Sequence, residues 1–124
     1  MQNMARIFLD TNFFIDLAKR NKSKQDQLRG HTLFVSPLST HILFYAYKMK
    51  VPADAFSDLI KGFGIAPLTE SVLTKGLMGP TNDLEDNLQL HSAVEIDSEI
   101  FLTSDKKLLA LKFFGKMAIQ ENLK

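Results

Sequence analysis

The sequence predicts an α/β protein of three layers, α/β/α, in which helices cover both faces of one central, mainly parallel sheet. Three observations predict it. Short apolar runs of strand length recur along the chain, stretches with helical apolar spacing separate them, and cap-forming or chain-breaking residues stand at the joints. Strands that alternate with helices pair in parallel through crossovers, and sites in such sheets lie outside the carboxyl ends of the strands. At 124 residues, with 45% hydrophobic and 23% charged side chains, the chain has the size and balance of one self-folding domain over residues 1–124.

Residues 5–9 read as a buried strand, and Asp10-Thr11-Asn12 supplies cap-type residues ahead of the apolar FFIDLA helix. The chain turns polar and basic over 19–29, where a loop or short helix leads to a second strand at 32–35. After Ser36-Pro37, a helix is expected over 39–49, with Ser39 as its cap and Ile42, Tyr45, Ala46 and Met49 as its apolar face. Pro52 opens a further helix over 53–61 that Gly62 and Gly64 end, and 65–68 is a third strand. Thr69 or Ser71 then caps another helix. Beyond Gly79-Pro80, residues 83–96 form a helix with carboxylates in its first turn, where the helix dipole favours them. A buried strand at 99–103, a short helix from Asp105 through 111 and a final strand at 116–120 complete the pattern.

Composition removes several classes of function. With no cysteine, there is no disulfide framework, thiolate metal site or cysteine nucleophile, and a reducing, cytoplasmic setting is expected. The opening MQNMARIFLD lacks the apolar stretch of a signal peptide, and no run reaches membrane-spanning length. A formal net charge of +1 creates no strong overall field, so a polyanionic partner would have to be held by local patches.

The chemistry-bearing pattern is acidic. Asp10 follows the first strand, Asp105 follows the strand ending at Thr103, and Asp86 lies in the first turn of a long helix. Strand ends and helix starts face the same edge of a parallel sheet, so these three carboxylates converge there. Their repulsion would raise their pKa values unless a cation neutralised them. Hard oxygen donors, without cysteine or a histidine pair at zinc spacing, favour Mg2+ or Mn2+ over zinc. Such an ion acidifies bound water and stabilises charge at a phosphate under attack, which is the chemistry of phosphodiester hydrolysis. Each acid also has a plainer use, since Asp10 and Asp105 stand where caps stand and Asp86 answers a helix dipole.

The run IFLDTNFFIDL resembles the opening strand and turn of PIN domains, VapC toxins included. DLEDNLQLHSAVEIDSEIFLTSDKKLL resembles their later acidic segment, and VSPLSTHILFYAY their second strand and helix. The resemblance covers nearly the whole chain. It implies a PIN-like fold and a Mg2+- or Mn2+-dependent ribonuclease, with Asp10, Asp86 and Asp105 as catalytic metal ligands. It also implies an RNA substrate, an antitoxin partner and pairing as a homodimer. One departure stands out: where many PIN domains carry a Glu early in the second helix, this chain has Ile42, with His41 beside it. Asp83 or Glu85 reaching in from another helix, or His41 bonding a water at the ion, would each compensate.

Asn12, Thr103 and Ser104 border the expected pocket and are placed to orient a ligand by hydrogen bonds, although turn and cap roles explain them equally. His31 and His91 lack ligand spacing and read as structural or exposed. Lys19, Arg20, Lys22, Lys24 and Arg29, and Lys106 with Lys107, are candidate phosphate contacts, while Phe13, Phe14, Phe44, Phe113 and Phe114 read as core and subunit packing. Two other readings compete: a catalytically degenerate PIN fold that binds RNA or protein, and a receiver-like phosphoacceptor. The second calls for an acidic pair after the first strand, which the chain lacks.

Overall fold

A computed structural model of the chain describes residues 4–19 and 22–123. The first strand, β1 (Arg6–Leu9), places Ile7 and Leu9 on one face of the sheet and Phe8 on the other, all three without solvent exposure. This alternation is what a strand buried on both faces requires. Around it stand α1 (Thr11–Ala18), α2 (Lys22–Leu28), β2 (Thr32–Val35), α3 (Pro37–Ala46), α4 (Asp54–Ile60), β3 (Gly64–Ile65), α5 (Glu70–Gly76), α6 (Leu84–Glu95), β4 (Ile100–Leu102), α7 (Lys106–Leu109), β5 (Phe113–Phe114) and β6 (Met117–Gln120).

The strands join in the order β3-β2-β1-β4-β6-β5, all parallel except the β5–β6 pair. The chain builds outward from β1 to β3 on one side, then returns to set β4 against the free edge of β1. The switch point of the topology therefore lies between β1 and β4, where an open α/β sheet parts its crossovers and leaves a crevice. One core, with Ile7, Leu9, Phe13, Phe14, Val35 and Leu43, packs under α1 and α3. The other, with Phe8, Leu90, Ala93, Phe101 and Leu108, packs under α6 and α7, and there the Phe8 and Phe101 rings stack with centroids 5.4 Å apart.

The sequence reading placed α3 too late. Ser36, not Ser39, is its cap, accepting from the Leu38 amide at 3.0 Å, and Pro37 takes the first helical position, where its missing N–H costs nothing. The expected apolar face is also out of phase: Tyr45 is 81% exposed, while Ser39 and Leu43 are the buried positions. LSTHILFYA is apolar nearly all round, so spacing alone could not say which side meets the core. The third strand begins at Gly64 and has only two residues, and β5, a hairpin arm beside β6, was not anticipated. Phe113 on that arm is 62% exposed and leaves the core, whereas Phe13 and Phe14 belong to it. Arg20 and the side chains of Lys22 and Lys24 lie outside the described residues.

Candidate functional site

Asp10 is the last buried residue of the β1 run and the N-cap of α1. Its backbone N–H donates to Leu102 O at 2.9 Å, tying the ends of β1 and β4 at the switch point. One carboxylate oxygen accepts from the Thr11 amide at 2.8 Å and the other from Thr103 Oγ1 at 2.7 Å. Thr103 is itself fully buried, and its hydroxyl oxygen accepts from the Asp105 amide at 3.0 Å. Asp105 in turn caps α7, with Oδ1 accepting from the amides of Lys107 and Leu108. Both acids are caps, as their sequence positions allowed, and both stand at the carboxyl edge of adjacent strands.

The start of α6 brings the remaining acids. Asn87 satisfies all of its amide: Nδ2 donates to Gly76 O and Thr81 O, while Oδ1 accepts from the Thr81 amide and hydroxyl. This clamp holds the turn ahead of the helix, where Asp83 caps the Asp86 amide at 3.0 Å. Electrostatics shows that the five acids feel one another. Burial pushes the Asp10 carboxyl up, the hydrogen bonds from Thr103 and Thr11 oppose this, and Asp105 adds to the rise. Burial also raises Glu85, as do Asp10 and Asp83, against a lowering hydrogen bond from the Thr11 side chain. Asp86 is pushed up to about 6, first by burial, then by Asp83, Asp10, Asp105 and Glu85. The charges that act on these groups are all negative.

An all-oxygen donor set under mutual repulsion fits the charge and hardness of Mg2+ or Mn2+. Among the described residues, no three Asp, Glu or His side chains already form a closed metal-holding group, so binding would draw the carboxylates closer together.

Of the accessory candidates, Thr103 and Glu85 join the cluster, and Asp83 takes part through its charge and its cap. Asn12 and Ser104 are exposed at its border. His41 is exposed and lines a cleft with Pro37, Thr40 and Phe44. His31 and His91 are structural, since His31 Nδ1 accepts from the Ala5 amide and His91 Nε2 contacts Gly79 O. Lys19, at the start of the basic stretch, is carried away from the acids, because the eight residues of α1 span about 12 Å. Lys19 caps the far end of α1, with its ammonium 4.5 Å from the centre of the Tyr47 ring, and Arg29 pairs with Asp26. Lys106 and Lys107 stay beside Asp105 and are exposed. Sequence reasoning missed Gln89 and Asn87 and gave Ser39 a capping role; Ser39 and Gln89 are buried polar residues whose partners lie far along the chain.

The chain matches no family model and no curated protein sequence. It is similar in structure to VapBC2 from Rickettsia felis, solved bound to a DNA fragment from its promoter, with a TM-score of 0.68 and 15% identity over 96% of this chain and 99% of that one. It is also similar to a toxin–antitoxin complex from Klebsiella pneumoniae, with a TM-score of 0.68 and 17% identity over 82% of this chain and 88% of that one. Taken with the six-stranded, mostly parallel sheet between two helical layers, these likenesses give the chain a PIN-like three-layer fold.

Proposed function

We propose that the protein is a metal-dependent endoribonuclease that hydrolyses RNA phosphodiester bonds and acts as the toxin of a toxin–antitoxin pair. The observation that carries this reading is the gathering of acids from two strand ends and one helix start at the switch point of the sheet, with only negative charges acting on one another. Asp10, Asp86 and Asp105 would hold Mg2+ or Mn2+, with Glu85 as a fourth carboxylate. When bound, the cation supplies the positive charge that lets a phosphate approach and makes water a better nucleophile near neutral pH. Thr103 orients Asp10 by donating to it and opposes the rise that burial imposes on its carboxyl. Exposed Lys106 and Lys107 meet the flanking phosphates beside Asp105.

A toxin also needs a protein partner, and the similar structure from Klebsiella pneumoniae is a toxin–antitoxin complex, while that from Rickettsia felis is VapBC2 bound to promoter DNA. A groove of about 680 Å³ lined by Leu17, Leu43, Tyr47, Met49, Phe56 and Leu59 offers apolar surface for it. The expected homodimer has a separate candidate surface in the exposed side chains of Leu73, Leu77 and Met78.

The test is cleavage of single-stranded RNA by the purified chain with Mn2+ or Mg2+. Activity should vanish on chelation and in Asp10→Asn and Asp86→Asn. Ile42 in the place of an acid favours a second reading, a binding module without turnover. RNA retained on the protein but uncut, with metal bound, would select that reading.

A further inference from the structure

Resting on that reading of the acidic edge, we propose that Asn87, acting through Thr81 and Asp83, is the positioning residue for Asp86. It locks the start of α6 to the end of α5 and so fixes the backbone from which that carboxylate springs.

Asn87 is 3% exposed, and every hydrogen-bonding position of its side-chain amide is used. Nδ2 donates to Gly76 O at 2.8 Å and to Thr81 O at 2.9 Å, while Oδ1 accepts from the Thr81 amide at 2.9 Å and from the Thr81 hydroxyl at 2.6 Å. Carbonyls only accept and a backbone amide only donates, so the side chain fits in one orientation and an Asp could not replace it. One helical turn on, His91 Nε2 contacts Gly79 O at 2.9 Å. Two side chains of α6 thus grip the backbone arriving from α5 at Gly76, Gly79 and Thr81.

The clamp continues toward Asp86. Thr81 has one hydroxyl proton, and the short contact to Asn87 takes it in preference to Asp83 O at 3.2 Å. The hydroxyl oxygen accepts from the Asp83 amide at 3.1 Å. Asp83 is then held at its N–H by Thr81 and at its carbonyl by the Asn87 amide, 3.0 Å away. So anchored, its carboxylate accepts from the Asp86 amide at 3.0 Å. That amide is among the first of α6, which have no partner inside the helix. Asp86 is therefore held at its own N–H and through its neighbour Asn87.

The same face of α6 is fastened beside Asp10. Gln89, three residues beyond Asp86 and on its side of the helix, donates to Thr11 Oγ1 at 2.8 Å, and the Thr11 amide donates to Asp10 at 2.8 Å. A ligand on a clamped helix start meets the ion already in place, whereas one on a loose start must first be ordered against its like-charged neighbours.

The test uses the full chain. Asn87→Leu removes the whole clamp together with bonds that hold the fold, so Thr81→Val is the deciding variant. It keeps the shape of Thr, deletes the link from Asn87 to Asp83 and leaves the Asn87 bonds to backbone intact. Calorimetry should find its Mn2+ affinity lowered about 10-fold, as when a group that orients a metal ligand is lost. Thr81→Ser keeps the hydroxyl and should keep the affinity. In an Asp86→Asn background, Thr81→Val should cost nothing further. Met117→Ala opens a cavity at the start of β6, away from the acids, and should lower the Tm with Mn2+ affinity unchanged. Unchanged affinity in Thr81→Val, an equal loss in Thr81→Ser, in Met117→Ala or in the Asp86→Asn background, would overturn the proposal. A metal-free measurement separates this inference from the nuclease reading: the Asp86 amide should exchange with solvent about 5-fold faster in Thr81→Val than in wild type or Thr81→Ser. Should wild type bind no Mn2+ at the acids, the nuclease reading fails. Faster exchange then still supports the positioning of Asp86 through Thr81, and unchanged exchange overturns it.

Discussion

Asp86 is the residue at which the cost of the acidic edge is concentrated. Its carboxyl is pushed up to about 6 by partial burial and then by Asp83, Asp10, Asp105 and Glu85. A folded-state pKa above the unfolded value means that the native protein keeps a proton the unfolded chain has lost. The associated stability is present below the unfolded pKa of about 4 and is lost as pH rises through about 6. Asp10 and Glu85 are raised as well and act in the same direction. In chelator, the Tm contribution of these groups should therefore fall between pH 4 and pH 7, and Asp86→Asn should flatten that fall. Equal slopes in the two proteins, measured by thermal melts across the range, would mean that Asp86 is not strained by its neighbours. Mn2+ competes with the proton for the same oxygens, so its binding should tighten over the same interval.

At the scale of the element, α3 decides how complete the site is. Ser36 and Pro37 start the helix early enough that Ser39 turns inward to Thr11 and Gln89. Ile42 follows Ser39 by three residues and is half-buried on the same side. Helical side chains lean toward the N-terminus, so Ile42 covers the turn that carries Ser39, below the acids. An added carboxylate there would join the like charges already present. Ile42→Glu should thus lower the Tm without metal and gain a larger Tm increase from Mn2+ than wild type does. A variant that loses stability but gains no extra response to Mn2+ would mean that this turn does not reach the ion. The same measurement on His41→Glu provides the control, because His41 lies on the exposed cleft beside Pro37 and Thr40.

Across the whole molecule, acids and exposed apolar groups occupy different places. The acids sit at the β1–β4 switch point, Lys19 and Tyr47 stand by the groove at the far end of α1, and Leu73, Leu77 and Met78 lie on α5 and just beyond it. Leu77 and Met78 are 66% and 87% exposed, an uncommon cost for adjacent large apolar residues unless another surface covers them. The expected homodimer would do so. Sedimentation should then show a dimer for wild type and a monomer for Leu77→Asp combined with Met78→Ser, with Mn2+ binding retained. A dimer that survives both substitutions would place the contact elsewhere. Among the described residues, no helix is long and apolar enough to cross a membrane.

Local physics determined most of what was readable in advance. Strands such as IFL and TLFV, the caps Asp10, Thr69 and Asp105, and the placement of three acids at strand ends and a helix start follow from short-range patterns that tertiary contacts did not override. From the alternation of these elements came the α/β class and the edge on which the acids meet. The phase of α3 needed the tertiary structure, since a helix apolar on nearly every side has no face until it meets a core. The short β5 arm also depended on its partner β6, because two residues carry no period of their own. The network of Thr11, Ser39 and Gln89 joins residues 28, 50 and 78 positions apart. Hydrogen bonds at that separation leave no trace in local spacing, and only the closing of the two helical layers over the sheet edge brings the three side chains together.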